Sequence, residues 1–192
     1  MKINSSINND DIGNDELAQL IKNAKREQGE ALEELCRFVY VKIFGYTYYR
    51  VHQREDAEDL TSEVLLKVVR SLKTQKGNFL AWIYRIANNT IIDFYRKRGR
   101  HPEISLQTIE DKIPAQEPVS PFLTEKRIKK ALSCLTPEQA DVITLRFIQG
   151  HNNEEVAKIM GKTVGAVKVL QFRALKTLRE FLRKEGYGTE DR

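Results

Sequence analysis

Apolar residues recur at spacings of three and four along most of this chain, and no stretch of useful length alternates between apolar and polar positions. Spacing of three and four places apolar side chains on one face of an α-helix, whereas strict alternation would indicate a β-strand. The pattern predicts a helix from Asp15, a longer one from Glu30, and further helices over about 55–72, 78–97 and 136–149. We therefore predict an all-α fold.

The helical pattern is interrupted by one segment that contains four prolines, scattered acids and no apolar stripe. An X-Pro pair favours extended backbone, so a segment of this kind is typical of a linker. We predict a flexible linker over 99–121 between two small helical domains, 15–98 and 122–185. The two ends, 1–14 and 186–192, are predicted to be disordered tails.

Residues 152–180 predict two helices joined by a very short turn. Asn152 or Asn153 provides an N-cap for the first helix, Gly161 ends it, and Thr163 caps the second. The outward face of the second helix begins with small residues and continues with cations. Such a helix can enter the major groove of DNA, read base edges with its first turns and hold phosphates beyond them. An ordinary helical hairpin with a solvated basic face would produce the same pattern.

The third predicted helix carries acids at helical spacing beside its apolar stripe. Asp56, Asp59 and Glu63 fall on this edge, three and four residues apart. A stripe of this kind is commonly a solvated face, but it can also dock a basic partner helix. The residues alone leave both interpretations open.

The fourth predicted helix combines amides, guanidinium groups and a tryptophan on its outward face. Arg85, Asn88 and Asn89 lie there beside Trp82, and the helix ends in a run of cations that includes Arg96. Rings and guanidinium planes can stack on unpaired bases, and amides can bond to base edges, as a flipped base requires. A buried tryptophan beside a solvated basic end is the alternative. The predicted inward face consists of Phe79, Ile83, Ile86, Ala87, Thr90 and Phe94.

Composition and charge narrow the class of protein. The chain has 192 residues, 41% of them hydrophobic and 31% charged, and a net charge of +5, so any polyanion site must come from local clustering. Cys36 and Cys134 lie far apart in apolar helical patterns without metal-ligand spacing, which predicts core positions. The N-terminus lacks an apolar signal segment, and nothing approaches the roughly 18 apolar residues of a membrane span. We expect a cytoplasmic protein with no cofactor and, since no catalytic constellation is recognisable, no enzymatic activity.

Three segments of the chain together resemble the sigma-70 family. They are DAEDLTSEVLLKVVRSL, FLAWIYRIANNTIIDFYRKR and LTPEQADVITLRFIQGHNNEEVAKIMGKTVGAVKVLQFRALKTLR, in that order across the linker. The layout of two modules resembles the smallest members of that family, the extracytoplasmic-function (ECF) sigma factors. The resemblance covers residues 15–182. It implies an initiation subunit of bacterial RNA polymerase, whose domain 2 binds the polymerase clamp and opens the −10 element and whose domain 4 binds the −35 element and the polymerase flap.

The resemblance also implies roles for individual residues. The positions that match the clamp-binding face are Asp56, Asp59, Ser62 and Glu63. Those assigned to −10 DNA are Lys76, Asn78, Trp82, Arg85, Asn88, Asn89, Arg96 and Lys97, with Asn89 beside the flipped base and loop 73–78 shaping its pocket. Those assigned to −35 DNA are Lys162, Thr163, Gly165, Ala166, Lys168, Val169, Phe172, Arg173 and Lys176. Leu170 and Gln171 stand where many relatives have arginine and leucine, so the exact −35 sequence does not follow.

Other classes of DNA-binding protein also contain a helix-turn-helix. A stand-alone helix-turn-helix repressor or activator would read DNA without polymerase, and a repressor would usually dimerise to match two half-sites. A response regulator would need a doubly wound domain, for which the N-terminal half has no strand pattern. Under the sigma-factor hypothesis the expected partners are core RNA polymerase, promoter DNA and, where one exists, an anti-sigma factor.

Overall fold

A computed structural model of the chain describes residues 13–26, 28–51, 53–99 and 125–186. The described residues form eight α-helices: α1 (Asn14–Lys25), α2 (Gly29–Tyr48), α3 (Arg54–Ser71), α4 (Phe79–Lys97), α5 (Glu125–Leu132), α6 (Pro137–Ile143), α7 (Asn153–Met160) and α8 (Val164–Lys184). A 3₁₀ turn (Leu72–Thr74) follows α3, and a π-helical turn (Thr144–Ile148) follows α6. No strand occurs within the described ranges, and the predicted all-α fold is confirmed.

The predicted linker and tails lie, apart from their border residues, outside the described residues. The predicted domain boundaries therefore stay a prediction. We call α1–α4 the first module and α5–α8 the second module. None of the helices in the described part of the chain is both long and apolar enough to cross a membrane.

The first module packs around α2, which contacts α1, α3 and α4. Apolar side chains from α2 and α3 meet in its core, among them Val39, Ile43 and Val64, which are fully buried. The hydroxyls of Thr47 and Thr61 also lie at this crossing, and each donates to a carbonyl of its own helix, at 2.7 and 2.6 Å. Because these donors are satisfied, burying them carries little penalty.

The buried face of α4 is wider than predicted. Phe79, Ile83, Ala87 and Thr90 are buried as expected, but Ile86 and Phe94 are only partly buried. Tyr84, Ile91 and Tyr95 are buried instead, and the prediction missed all three. The physical reason is that α4 is covered from two directions, by α2 and α3 on one side and by α7 of the second module on the other.

In the second module, α8 packs against α6 and α7. The helix predicted over 136–149 is present, but its second half is not α-helical, because α6 gives way to the π-helical turn after Ile143. There the amide of Gln149 bonds to the carbonyl of Thr144, five residues back, at 2.9 Å. A π-helical turn widens the helix by one residue per turn, and its spacing cannot be read from an apolar pattern.

Candidate nucleic-acid interface

The helix-turn-helix is built by local capping, as predicted. Asn152 and Glu155 form a capping box, in which each side chain accepts the other residue's backbone N–H at 2.9 Å. Gly161 then ends α7 in the left-handed conformation, with φ of +64°, which a side chain would disfavour. The Thr163 hydroxyl accepts the Ala166 N–H at 3.2 Å and begins α8. Gly161 and Thr163 thus fix the turn between α7 and α8, and the capping box sets where α7 begins.

The outward face of α8 is open to solvent over most of the predicted −35 set. Gly165, Lys168, Val169, Phe172, Arg173 and Lys176 are exposed, and Ala166 is half-buried. The Phe172 side chain is 71% exposed, which is unusual for an aromatic residue without a partner. Such a ring can contact a thymine methyl group in the major groove, while the cations further along reach phosphates.

Two members of the −35 set already have structural partners. Lys162 pairs with Glu138 at 2.7 Å, and its side chain is only 27% exposed. The Thr163 hydroxyl is occupied in capping α8. The cations left free to meet DNA on this face are therefore those further along α8, beginning with Lys168.

The predicted −10 set lies along one side of α4 and the loop before it. Lys76, Asn78, Arg85, Asn89, Arg96 and Lys97 are exposed, and Trp82 and Asn88 are half-buried. Asn78 caps α4 by accepting the Ala81 N–H at 2.8 Å, and Arg96 pairs with Asp93 at 2.9 Å. The Trp82 ring packs at 5.7 Å from Phe79, so part of it supports the core, as the alternative interpretation held. Asn89 keeps its amide exposed.

The predicted clamp-binding face divides into two parts. Asp59, Ser62 and Glu63 are exposed on α3, beside the exposed apolar residues Leu66 and Val69. The carboxylate of Asp56, by contrast, accepts two hydrogen bonds from Arg98 at 2.8 and 2.9 Å, and its side chain is 13% exposed. A bidentate pair of this kind joins α3 to the end of α4. The part of the predicted face that is open to solvent is therefore centred on Asp59, with the exposed apolar residues Leu66 and Val69 next to it.

A buried polar cluster joins the two modules, and it was not predicted from the sequence. Tyr46 of α2 donates to Oδ1 of Asp141 in α6 at 2.5 Å, and Nε of Arg50 lies 3.1 Å from the same oxygen. The side chains of Arg50 and Asp141 are 8% and 9% exposed. The Arg50 Nε–H is not aligned as a hydrogen bond, so this contact is an ion pair. A single acid between apolar residues was the available signal, but its partners lie in another helix of another module.

Burial is the largest single effect on the pKa values of Tyr46, Arg50 and Asp141. It raises the pKa of Asp141, and the Arg50 charge and the Tyr46 hydrogen bond only partly offset that rise. Burial and the neighbouring carboxylate also raise the pKa of Tyr46. Burial is the largest single effect on Arg50 and acts to lower its pKa, but the attractions of Asp141, Tyr46 and Tyr95 together outweigh it, so the pKa is raised. The attractions within the ion pair thus only partly compensate Asp141 for its loss of water.

A second contact between the modules joins α4 to the loop before α7. The Tyr84 hydroxyl lies 3.2 Å from Nε2 of His151, and the two rings meet edge to face. Beside it is a cavity of 170 Å³ that Arg85 and Asn88 line from one side and Gly161 and Lys162 from the other. Members of the −10 set and of the −35 set therefore face each other across this cavity.

Both modules match known protein families. The family Sigma-70 region 2 matches residues 38–101, and Sigma-70, region 4 matches residues 131–180. The ECF RNA polymerase sigma factor BldN of Streptomyces coelicolor is 33% identical over 86% of this chain, which spans 66% of that relative's length.

One further relative and one solved structure match this chain over most of their own lengths. The ECF RNA polymerase sigma factor SigX of Bacillus subtilis is 31% identical over 80% of this chain and 88% of its own length. The sigma factor RpoE of Bartonella quintana, solved in complex with the anti-sigma factor NepR, shares 26% identity with a TM-score of 0.61, over 84% of this chain and 98% of that chain. With both regions matched in order, this chain belongs to the extracytoplasmic-function group of the sigma-70 family.

Proposed function

We propose that this chain binds core RNA polymerase at the clamp and the flap and directs promoter-specific initiation by reading the −35 and −10 elements and helping to melt the −10 region. The observation that carries the proposal is the presence of two separate nucleic-acid faces, on α4 and α8, within modules that match regions 2 and 4. One face offers groups for duplex DNA, and the other offers amides and rings for unpaired bases. A stand-alone regulator would leave the match over 38–101 unexplained.

The two modules have to separate for this function. The −35 and −10 elements are about 25 base pairs apart, or roughly 85 Å at 3.4 Å per base pair. In the structure, Arg85 and Lys162 line the same cavity of 170 Å³, so one promoter cannot engage both faces at once. We therefore take the packed arrangement as the resting state of the free protein, which polymerase binding converts to an open state.

The character of the interface favours such opening. Its centre is the cluster of Tyr46, Arg50 and Asp141, and burying ions in this way gives little net stability, because their lost hydration offsets their attraction. Exposure on opening restores that hydration. Contacts of this polar kind between domains ordinarily permit relative motion.

An anti-sigma factor is a further proposed partner. The support is the likeness to the Bartonella sigma factor, which was solved with an inhibitor of that class. The exposed apolar residues Leu66, Val69 and Phe172 offer such a partner surfaces in both modules. In this role, as in initiation, the chain acts through binding and needs no catalytic site.

Run-off transcription tests the proposal directly. Core polymerase reconstituted with this chain should give discrete transcripts from a subset of genomic promoters, and core alone should not. Size-exclusion chromatography provides the second readout, since the chain should co-elute with core polymerase. A chain that elutes as a free dimer, binds a promoter tightly alone and yields no transcript would instead be a stand-alone regulator.

A further inference from the structure

The cavity between the two modules has walls of different chemical character. Arg85 and Asn88 of α4 line it from the first module, and Glu138 and Asp141 of α6 line it from the second. An apolar cavity of about 150 Å³ holds one benzene molecule, so a volume of 170 Å³ accommodates a ligand of roughly six to eight non-hydrogen atoms. Arg85 and Glu138 are exposed, so the cavity opens to solvent.

The wall formed by α4 offers hydrogen-bond donors that other residues leave unused. Within the described part of the chain, neither the Arg85 guanidinium nor the Asn88 side-chain amide takes part in a hydrogen bond or an ion pair. The two side chains are neighbours, because residues three apart lie on the same face of a helix. A guanidinium donates through a planar fork that matches the two oxygens of a carboxylate. This wall is therefore suited to a carboxylate.

The wall formed by α6 brings two carboxylates together. Tyr46 and Arg50 both contact Oδ1 of Asp141, and no hydrogen bond from a described residue reaches Oδ2. The Asp141 side chain is 9% exposed. Burial raises its pKa, and the nearby Glu138 carboxylate adds to that rise. Lys162 pairs with Oε1 of Glu138 at 2.7 Å, at the edge of the same cavity. Two neighbouring carboxylates favour a further cation between them, such as an ammonium group.

An apolar surface completes the cavity. Leu145 of the π-helical turn and Ile159 near the end of α7 line it and are buried, and Met160 beside them is partly buried. A hydrocarbon group placed against these side chains would be removed from water. Sites for a carboxylate, an ammonium group and a hydrocarbon group thus meet in one small cavity.

We propose that this cavity binds a small apolar α-amino acid of about the size of valine. The carboxylate of the ligand contacts Arg85 and Asn88, and its ammonium group contacts Asp141 and Glu138. Its hydrocarbon side chain lies against Leu145. Because these residues belong to both modules, the bound amino acid holds the modules together and disfavours the open state. The site itself is independent of the proposed function, whereas its effect on opening rests on that function.

The size of this effect follows from mass action. A ligand that binds only the packed state multiplies the population of that state by one plus the ratio of ligand concentration to Kd. At ten times Kd, the open fraction of a mostly packed protein therefore falls about 11-fold. The affinity of the free chain for −35 duplex should fall by the same factor, because the packed state hinders the helix-turn-helix.

Calorimetric titration of the full chain with L-valine and two analogues tests the site. Isobutylamine is valine without its carboxylate, and 3-methylbutanoate is valine without its ammonium group. Each analogue loses one set of charge-assisted hydrogen bonds, so valine should bind about tenfold or more tightly than either. Fluorescence anisotropy with −35 duplex, at increasing valine concentration, measures the effect on opening.

Variants of the two walls test the orientation of the ligand. Arg85→Ala should lower the affinity for valine about tenfold and leave that for isobutylamine unchanged, because this analogue has no carboxylate to lose a partner. Glu138→Gln should lower the affinity for valine and spare that for 3-methylbutanoate. A general disturbance of the fold would lower the affinities for valine and its analogues together. Arg70→Ala, which removes an exposed arginine of α3, is the matched control and should bind all three as the parent does.

Other results would overturn the inference. Valine that binds no more tightly than both analogues would leave an apolar cavity without an amino-acid site. Valine that binds without weakening −35 binding would refute its action on packing. Run-off transcription separates this inference from the proposed function. A chain that directs transcription but binds no valine refutes the inference alone, and a chain that binds valine but yields no transcript refutes the proposed function alone.

Discussion

Arg50 and Asp141 form a buried ion pair between the two modules, with Nε of the arginine 3.1 Å from Oδ1 of the aspartate. Arg50 lies two residues after the end of α2, and Asp141 lies within α6. Each side chain is less than a tenth exposed, so each would be left as an isolated buried charge if the other were removed. The packed arrangement of the modules therefore depends on both being present.

Truncating either partner should open the protein. Arg50→Ala or Asp141→Ala leaves one buried charge uncompensated, which costs about 3–5 kcal/mol and shifts the equilibrium towards separated modules. Small-angle scattering should register a larger radius of gyration. Arg37→Ala, which removes an exposed arginine of α2, is the matched control and should remain compact. The double variant Arg50→Met/Asp141→Leu buries no charge and should be compact again; compact single variants would contradict this account.

Opening should also release the −35 face in the absence of polymerase. The helix-turn-helix turn at Gly161 and Lys162 lines the cavity between the modules, so the packed state hinders its approach to DNA. Asp141→Ala should therefore bind −35 duplex more tightly than the parent, by at most the reciprocal of the parent's open fraction. Fluorescence anisotropy with labelled duplex measures this gain. Equal, tight and promoter-specific binding by the free parent would count against a closed resting state.

Acidification should weaken the packing through His151. Burial lowers the pKa of this imidazole below its ordinary value of 6.5, although Glu155 opposes the shift. A group with a lowered pKa stabilises the packed state above its free pKa, and that contribution is lost as the pH falls through the lowered value. Scattering should therefore detect expansion as the pH falls below about 6.5.

The groups around His151 define the control for this pH dependence. Tyr84, Glu155 and Lys42 face the imidazole, and Asp141, whose pKa is raised by burial, acts in the opposite sense. His151→Gln keeps all of these groups and removes only the titrating ring. Expansion of the same size in His151→Gln would assign the effect to another group.

Charge reversal on α3 should weaken binding to core polymerase. Asp59 is exposed beside the apolar strip of Leu66 and Val69, and Asp59→Arg or Glu63→Arg would oppose a basic clamp surface. Rim charges act mainly on association rate and salt dependence, so a slower association is expected in kinetic binding measurements. Glu154→Arg, an exposed reversal on α7, is the control. Parental association by both α3 variants would place the docking face elsewhere.

Lys176 and Asn89 should differ in what they contribute to promoter recognition. Lys176 is exposed about two turns beyond the first turns of α8, where it can reach a phosphate. Lys176→Ala should therefore weaken binding to all DNA sequences equally and lower the salt dependence of the binding constant by roughly one phosphate contact.

Asn89→Ala should leave −35 binding unchanged but reduce the base preference at one −10 position, at a cost on the order of 1–3 kcal/mol. Permanganate footprinting across −10 substitutions measures melting and preference together. Unchanged melting and preference would remove Asn89 from the pocket.

Local features of the structure were the most predictable. Asn152 and Thr163 each cap a helix by accepting a backbone N–H three residues on; the sequence indicated Thr163, and Asn152 as one of two candidates. The exposed face of α8 was equally predictable, because helical periodicity alone distinguishes the buried side of the helix from the exposed side. Asp56 was placed on the docking face because its spacing on α3 fits, yet its partner Arg98 comes from the far end of α4.

The helices, their caps, the family and the residue types on each outward face follow from the amino-acid sequence, because these features depend on neighbours within one or two turns. The burial of Asp141 against Tyr46 and Arg50, the contact of Tyr84 with His151 and the approach of the α1 cations to Lys76 follow from the folded chain. Such pairings depend on how whole helices and modules pack. Packing is the sum of many weak apolar contacts between distant segments, so no local pattern specifies which polar groups it brings together.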